Sequence, residues 1–212
     1  METMNAIDSR YSALAKTTTC LSCGGAINHG NPTNAEICVD LGSGRGHDCI
    51  KLAQKVGPEG FVYGIDISDG MLETARSRAF EEGITNVAFH KSPIDHLPLK
   101  ENSIDLLISN CTINHAANKD AVWTEIFRVL RPGGRFVVSD IYSLEPIAAE
   151  YRNDPAAVAQ CWAGAVTKTQ YLETLASIGF SSIELLEESR PYEKGKVTVA
   201  SVTIRGYKPL GS

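Results

Sequence analysis

"EICVDLGSGRGHDC", Glu36 to Cys49, decides the fold. Its first half is a short β-rich run that reads as a strand. Its second half sets Gly42, Gly44 and Gly46 between that strand and a segment in which Cys49, Leu52, Ala53 and Val56 recur at helical spacing. Glycines in such a turn let the backbone approach a ligand and expose the amides of the helix start, which favour a negative group. The next β-rich run, "FVYGID", ends in Asp66, an acidic residue roughly 20 positions on and so placed to hold the two hydroxyls of a ribose. Loop and carboxylate together signal a nucleoside cofactor.

Outward from this unit, short strands alternate with longer helical periods, the pattern of a parallel sheet covered on both faces. "VGPEG" stops the first helix. Ser68 or Asp69 caps the next, which runs through "MLETARSRAFEE" to Gly83. "NVAFHK" and "IDLLIS" are strands three and four, "KDAVWTEIFRVL" is a helix closed by "RPGG", and "RFVVSD" is strand five. Residues 141–166 mix proline, acidic groups and alanine without a strand and read as an insertion. Thr167 with Gln170 forms a capping box for "KTQYLETLASI", ended by Gly179. The last two strands, "SSIELLEE" and "KVTVASVTIRGYK", are joined by a turn at Pro191 to Gly195, which suits an antiparallel pair. The expected organisation is an N-terminal arm, residues 1–34, and one domain, residues 35–212.

Composition agrees with one enzyme-sized domain: 212 residues, 43% of them apolar, are ample for a full core. A net charge of -5 offers no electrostatic footprint for nucleic acid. No run approaches the roughly 18 apolar residues of a membrane span, and the opening "METMNAIDSR" lacks the basic-then-apolar order of a leader. A cytoplasmic location is the expectation. In a reducing compartment the six cysteines, at 20, 23, 38, 49, 111 and 161, are thiols to be read one by one rather than a disulfide framework.

A nicotinamide enzyme would carry G-x-G-x-x-G. Here the spacing is Gly42-x-Gly44-x-Gly46 after Asp40, which resembles the first motif of class I S-adenosylmethionine-dependent methyltransferases. "LRPGGRFVVSD" resembles the segment that such enzymes carry before their fifth strand. The resemblance implies an α/β, doubly wound, Rossmann-like sheet of seven strands with the last antiparallel, and S-adenosyl-L-methionine as cofactor. It also implies that Asp40 orients the loop, that Gly42 and Gly44 make room for the methionine part, and that Asp66 binds the ribose. Ile67, Ile94, Asp95 and Asn110 complete the cofactor positions it implies. In "KSPIDHLP", Pro93 stands where the family often has an aspartate accepting from the adenine amine. Ile94 then packs on the ring and offers its backbone amide, or Asp95 takes the displaced role.

Cys38, inside the first strand, and Cys49, on the apolar face of the first helix, read as core fillers, since free cysteine behaves as a small hydrophobe. Cys111 follows strand four, and ligands of open α/β sheets bind outside the carboxyl ends of strands. Cys161 belongs to the insertion, which starts at that same edge. Cys20 and Cys23 lie on an arm that enters strand one from the opposite end and must fold over to reach them.

"LGSGRGHDC", "ISNCTINH", "QCWAGAVT" and "VASVTIRGYKP" together resemble the arsenite methyltransferase family, from about Tyr11 onward. The resemblance implies methyl transfer to trivalent arsenic held by Cys111, Cys161 and one thiolate of the arm, either Cys20 or Cys23. It implies a thiol reductant such as glutathione or thioredoxin as partner. His115, four residues beyond Cys111, is a candidate to lower that thiol's pKa. Cys20-x-x-Cys23 has two further readings, part of a zinc site with His29 or a dithiol redox motif. A methyltransferase for a small organic thiol, phenol or carbon acid, and a non-catalytic metalloid or cofactor sensor, are the alternative functions.

Overall fold

Among the described residues eight strands pair in the order β3-β2-β1-β4-β5-β8-β6, with the short β7 hydrogen-bonded to β8 beside that path. The computed structural model describes residues 2–15, 17 and 25–211. β1 (Ile37–Leu41) lies between β2 (Phe61–Asp66) and β4 (Ile104–Asn110), all parallel, with β3 (Val87–Lys91) outside β2 and β5 (Leu130–Ser143) outside β4. β8 (Val197–Tyr207) runs antiparallel to both β5 and β6 (Ser181–Glu188). The chain therefore switches direction of winding between β1 and β4, where open α/β sheets place their crevice.

Side chains alternate across the sheet, as the strand period requires. Leu106 and Ile108 of β4 pack with Cys38 and Val62 under α3 (His47–Val56) and α4 (Asp69–Glu81), while Leu107 joins Val39 and Leu41 on the other face. That second face is covered by α5 (Lys119–Val129) and α8 (Lys168–Ile178), whose Trp123, Ile126, Tyr171 and Leu175 meet Phe136 and Phe180. Cys38 and Cys49 are fully buried in the first cluster, as fillers. Thr167 and Gln170 form the expected capping box, and Gly179 ends α8 in the left-handed conformation.

Five readings change. β5 starts at Leu130, not at Arg135, because Leu130 pairs with Ile104 and a register shift before Leu106–Arg135 absorbs "RPGG". β5 also continues to Ser143, since Ile141 to Ser143 pair with Ser201 to Val199 of β8, so strand pairing reaches into the expected insertion. Beyond it the chain forms two four-residue helices, α6 (Ala149–Arg152) and α7 (Pro155–Val158). The link after β6 holds a further strand, β7 (Tyr192–Lys194), folded back on β8. The arm forms α1 (Glu2–Ala15) and α2 (Ala26–Gly30). Cys20 and Cys23 lie outside the described residues. No helix among the described residues is long and apolar enough to cross a membrane.

Candidate active site

The glycine loop sits at the carboxyl end of β1. Gly42, Gly44 and Gly46 all have positive φ (78°, 50° and 77°), a region that only glycine enters without strain. The loop is pinned from β2. Gly42 and Ser43 donate their N–H groups to Ile65 O at 2.8 and 3.0 Å, and Gly44 N–H donates to Asp66 Oδ2 at 2.8 Å. Asp40 does not orient the loop directly. It is buried beneath, accepts from the Cys49 thiol at 3.5 Å, and is pushed up to about 8 by burial and by the charges of Asp48 and Asp66.

These residues fit a nucleoside cofactor. Gly44 faces open space where a side chain would stand, and Ser43 Oγ is buried without a hydrogen-bond partner among the described residues. Asp66 holds Gly44 N–H on one oxygen and Ser68 N–H on the other, at 2.9 Å. Ile67 N–H is a third donor to this carboxylate, whose roughly four lone-pair sites still leave room for a hydroxyl. Ile67 and Ile94 are half-buried beside this edge, whereas Asp95 is exposed in the turn after Pro93. Asn110 is taken at both ends of its amide, accepting from Ala26 N–H at 3.2 Å and donating to Asp48 at 3.1 Å. It ties α2 to α3.

Thr112 joins this loop to the thiols. A side chain on Gly42 would collide with Thr112, so the turn after Cys111 rests directly on the glycine loop. Cys111 and Cys161 come together. The Cys161 thiol lies 3.5 Å from Cys111 O and 3.7 Å from Asp140 Oδ1. Both cysteines have positive φ, 53° and 74°, an unusual conformation for a non-glycine residue. Cys111 N–H donates to Ser139 O and Cys161 N–H to Val158 O, both at 2.8 Å, and these bonds hold the two residues there. Cys161 is 4% exposed and Cys111 is half-buried. Cys111 lines a cleft of about 310 Å³ with Gly25, Ser139, Asp140, Glu187 and Thr203.

Asp140 was not among the residues expected at the site. Its carboxylate accepts from Asn114 Nδ2 at 2.8 Å and from Ile141 N–H at 2.8 Å, and burial raises it to about 6. It lies inside β5, which runs on to Ser143, next to Ser139, whose carbonyl accepts Cys111 N–H. Tyr11 and Ser12 of α1 were also missed, and no periodicity in the arm marks them. Ser12 Oγ lies 2.8 Å from Ser68 Oγ, and Arg45 donates to Leu14 O at 3.2 Å, so the arm does fold over the carboxyl edge.

His115 does not activate Cys111. Its Nδ1 faces Val158 O and its Nε2 faces the Tyr11 hydroxyl, each at 3.0 Å, and burial pulls it down to about 4. It is neutral, with Nδ1–H donating to the carbonyl and Nε2 accepting from tyrosine. His29 lies 3.0 Å from the Glu187 carboxylate.

A profile of the methyltransferase-domain family matches residues 32–179. The arsenite methyltransferase of Halobacterium salinarum is 36% identical over 173 residues, 82% of this chain and 44% of that protein. The demethylmenaquinone methyltransferase of Lactococcus lactis is 31% identical over 156 residues, 71% of this chain and 62% of that protein. The crystal structure of an arsenic(III) S-adenosylmethionine methyltransferase from Chlamydomonas reinhardtii superposes with a TM-score of 0.78 at 30% identity, covering 97% of this chain and 74% of that one. The chain thus spans less than half the length of the arsenite methyltransferase it matches.

Proposed function

The chain belongs to the methyltransferase-domain family, and from that premise we propose that it transfers a methyl group from S-adenosyl-L-methionine to trivalent arsenic held by cysteine thiolates. The observation that carries the reading is the meeting of Cys111 and Cys161 at the carboxyl edge, each held at positive φ, with Thr112, the residue after Cys111, resting on Gly42 of the glycine loop. Trivalent arsenic is soft, as are the metals that prefer sulfur to oxygen donors. Arsenite enters as a hydroxide. Each As–S bond formed releases one hydroxide, which leaves as water with the thiol proton. The third ligand comes from Cys20 or Cys23. Gly25, two residues beyond Cys23, lines the same cleft as Cys111, and two residues of chain span at most about 7 Å.

Asp66 holds the ribose, and Gly42, Gly44 and Ser43 receive the methionine part. Bound S-adenosylmethionine supplies an electrophilic methyl on sulfur. The chain's own contribution is alignment: arsenic held by thiolates fixed in the fold would present its lone pair in one direction. Such positioning lowers a barrier by roughly 7–11 kcal/mol at best. No general base is needed, which agrees with a neutral, fully engaged His115. Methylated arsenic is pentavalent, and its return to the trivalent state takes two electrons. Two thiols supply them as they close to a disulfide, either on this chain or on a reductant such as glutathione or thioredoxin.

Incubation with arsenite, cofactor and a thiol should yield methylarsenicals, and Cys111→Ser and Cys161→Ser should each abolish them. The similarity to a demethylmenaquinone methyltransferase supports a second reading, an organic acceptor. On that reading both serine variants keep their activity, and no methylarsenical forms.

A further inference from the structure

One chain of hydrogen bonds links three segments that are distant in sequence. The Tyr11 hydroxyl of α1 donates to His115 Nε2 at 3.0 Å, with the two rings edge to face at 5.5 Å between centroids. His115 Nδ1–H donates to Val158 O at 3.0 Å. The same carbonyl accepts Cys161 N–H at 2.8 Å. His115 itself closes the short 3-10 turn that begins just after Cys111 and Thr112, and its own N–H donates to Thr112 O.

We infer that Tyr11 and His115 are positioning residues for the thiol pair, by which the amino-terminal helix holds the Cys111 turn and the Cys161 turn in one geometry. The inference rests on the arsenic reading above. Its physical basis is that both cysteines occupy a backbone region which persists only where the surroundings over-determine it. The shared Val158 carbonyl is what over-determines Cys161. His115 fixes that carbonyl, and Tyr11 fixes the His115 ring by occupying its second nitrogen. Each acts through its hydrogen bond to a neighbour, and neither carries charge. The pair acts on the fit of the acceptor rather than on the methyl donor, which is held by the glycine loop and Asp66.

The test is arsenite-dependent quenching of Trp162, the residue after Cys161, in the full chain. Trp123 sits in the α5–α8 core and supplies a constant background. Tyr11→Phe removes one oxygen and should raise the half-saturating arsenite concentration roughly two- to tenfold, the size of one lost hydrogen bond. The affinity for S-adenosylhomocysteine, measured on the same samples, should be unchanged. With His115→Phe already present, Tyr11→Phe should have no further effect, because the two act through one contact. The inference is overturned by an arsenite titration of Tyr11→Phe that matches the parent, or by two substitutions whose effects simply add. A parent chain that shows no thiol-dependent quench overturns the arsenic reading itself and this inference with it. A quench that is lost in Cys161→Ser yet indifferent to Tyr11→Phe overturns this inference alone.

Discussion

Gly42 shows how much one missing side chain does. Its φ of 78° already excludes most residues, and any Cβ would displace Thr112. Gly42→Ala should therefore cost on the order of 1–3 kcal/mol of stability. It should also weaken S-adenosylhomocysteine binding by about tenfold or more, the equivalent of roughly 1.4 kcal/mol. Calorimetric titration alongside thermal unfolding separates the two, and normal affinity in the variant would mean that Thr112 can move aside freely. The glycine was legible in the sequence because its spacing is read directly. Asp140 was not, because an aspartate after an apolar run is equally at home in solvent. Its burial at 2% exposure depends on Asn114 and Ile141 bonding to it, a tertiary fact.

The two turns that carry the thiols pack through a second glycine. A side chain on Gly164 would enter the carbonyl of Asn114, so the turn Trp162–Gly164 lies flat against the turn Ile113–His115. Gly164→Ala should push the turns apart and weaken arsenite quenching of Trp162 by at least about tenfold, while S-adenosylhomocysteine affinity changes little. An equal loss of both would show that the turns and the glycine loop behave as one unit. At this scale the parallel strands and their helices were readable from period and caps. The departures fall where long-range pairing overrides local signal: Leu130 joins β5 because Ile104 is opposite, and Ile141 to Ser143 extend it because β8 is there to receive them. The helical arm was missed, and its α1 buries only Ala15 among its described side chains, which leaves little apolar stripe to detect.

Across the whole molecule, three buried or nearly buried carboxylates, Asp40, Asp66 and Asp140, share one edge of the sheet, and burial raises all three. A carboxyl raised in the folded state binds a proton that the unfolded chain has released. Stability is therefore full below the unfolded value near 4 and falls as pH rises through the folded value. For Asp40 that window runs from about 4 to about 8, at no more than about 1.4 kcal/mol per pH unit. Thermal unfolding from pH 5 to 9 should show a falling melting temperature, and Asp40→Asn should flatten the slope. An unchanged slope would assign the titration to the other two. The same acidic edge suits a positively charged sulfonium, whose arrival favours the ionised carboxylates.

The antiparallel β8 pairs with β5 from Ser143 to Arg135 and follows all the other strands of this sheet in chain order. The glycine crevice needs β1, β2 and β4, all made by residue 110, whereas the thiol cleft also needs Cys161 and the β8 wall at Thr203. Closing that longer loop carries the larger entropic cost. A refolding chain should regain S-adenosylhomocysteine binding in an earlier kinetic phase than arsenite quenching, and simultaneous recovery in stopped-flow would show that the sheet forms in one step. A ribosome-bound nascent chain would thus acquire its donor pocket while the acceptor side is still unbuilt.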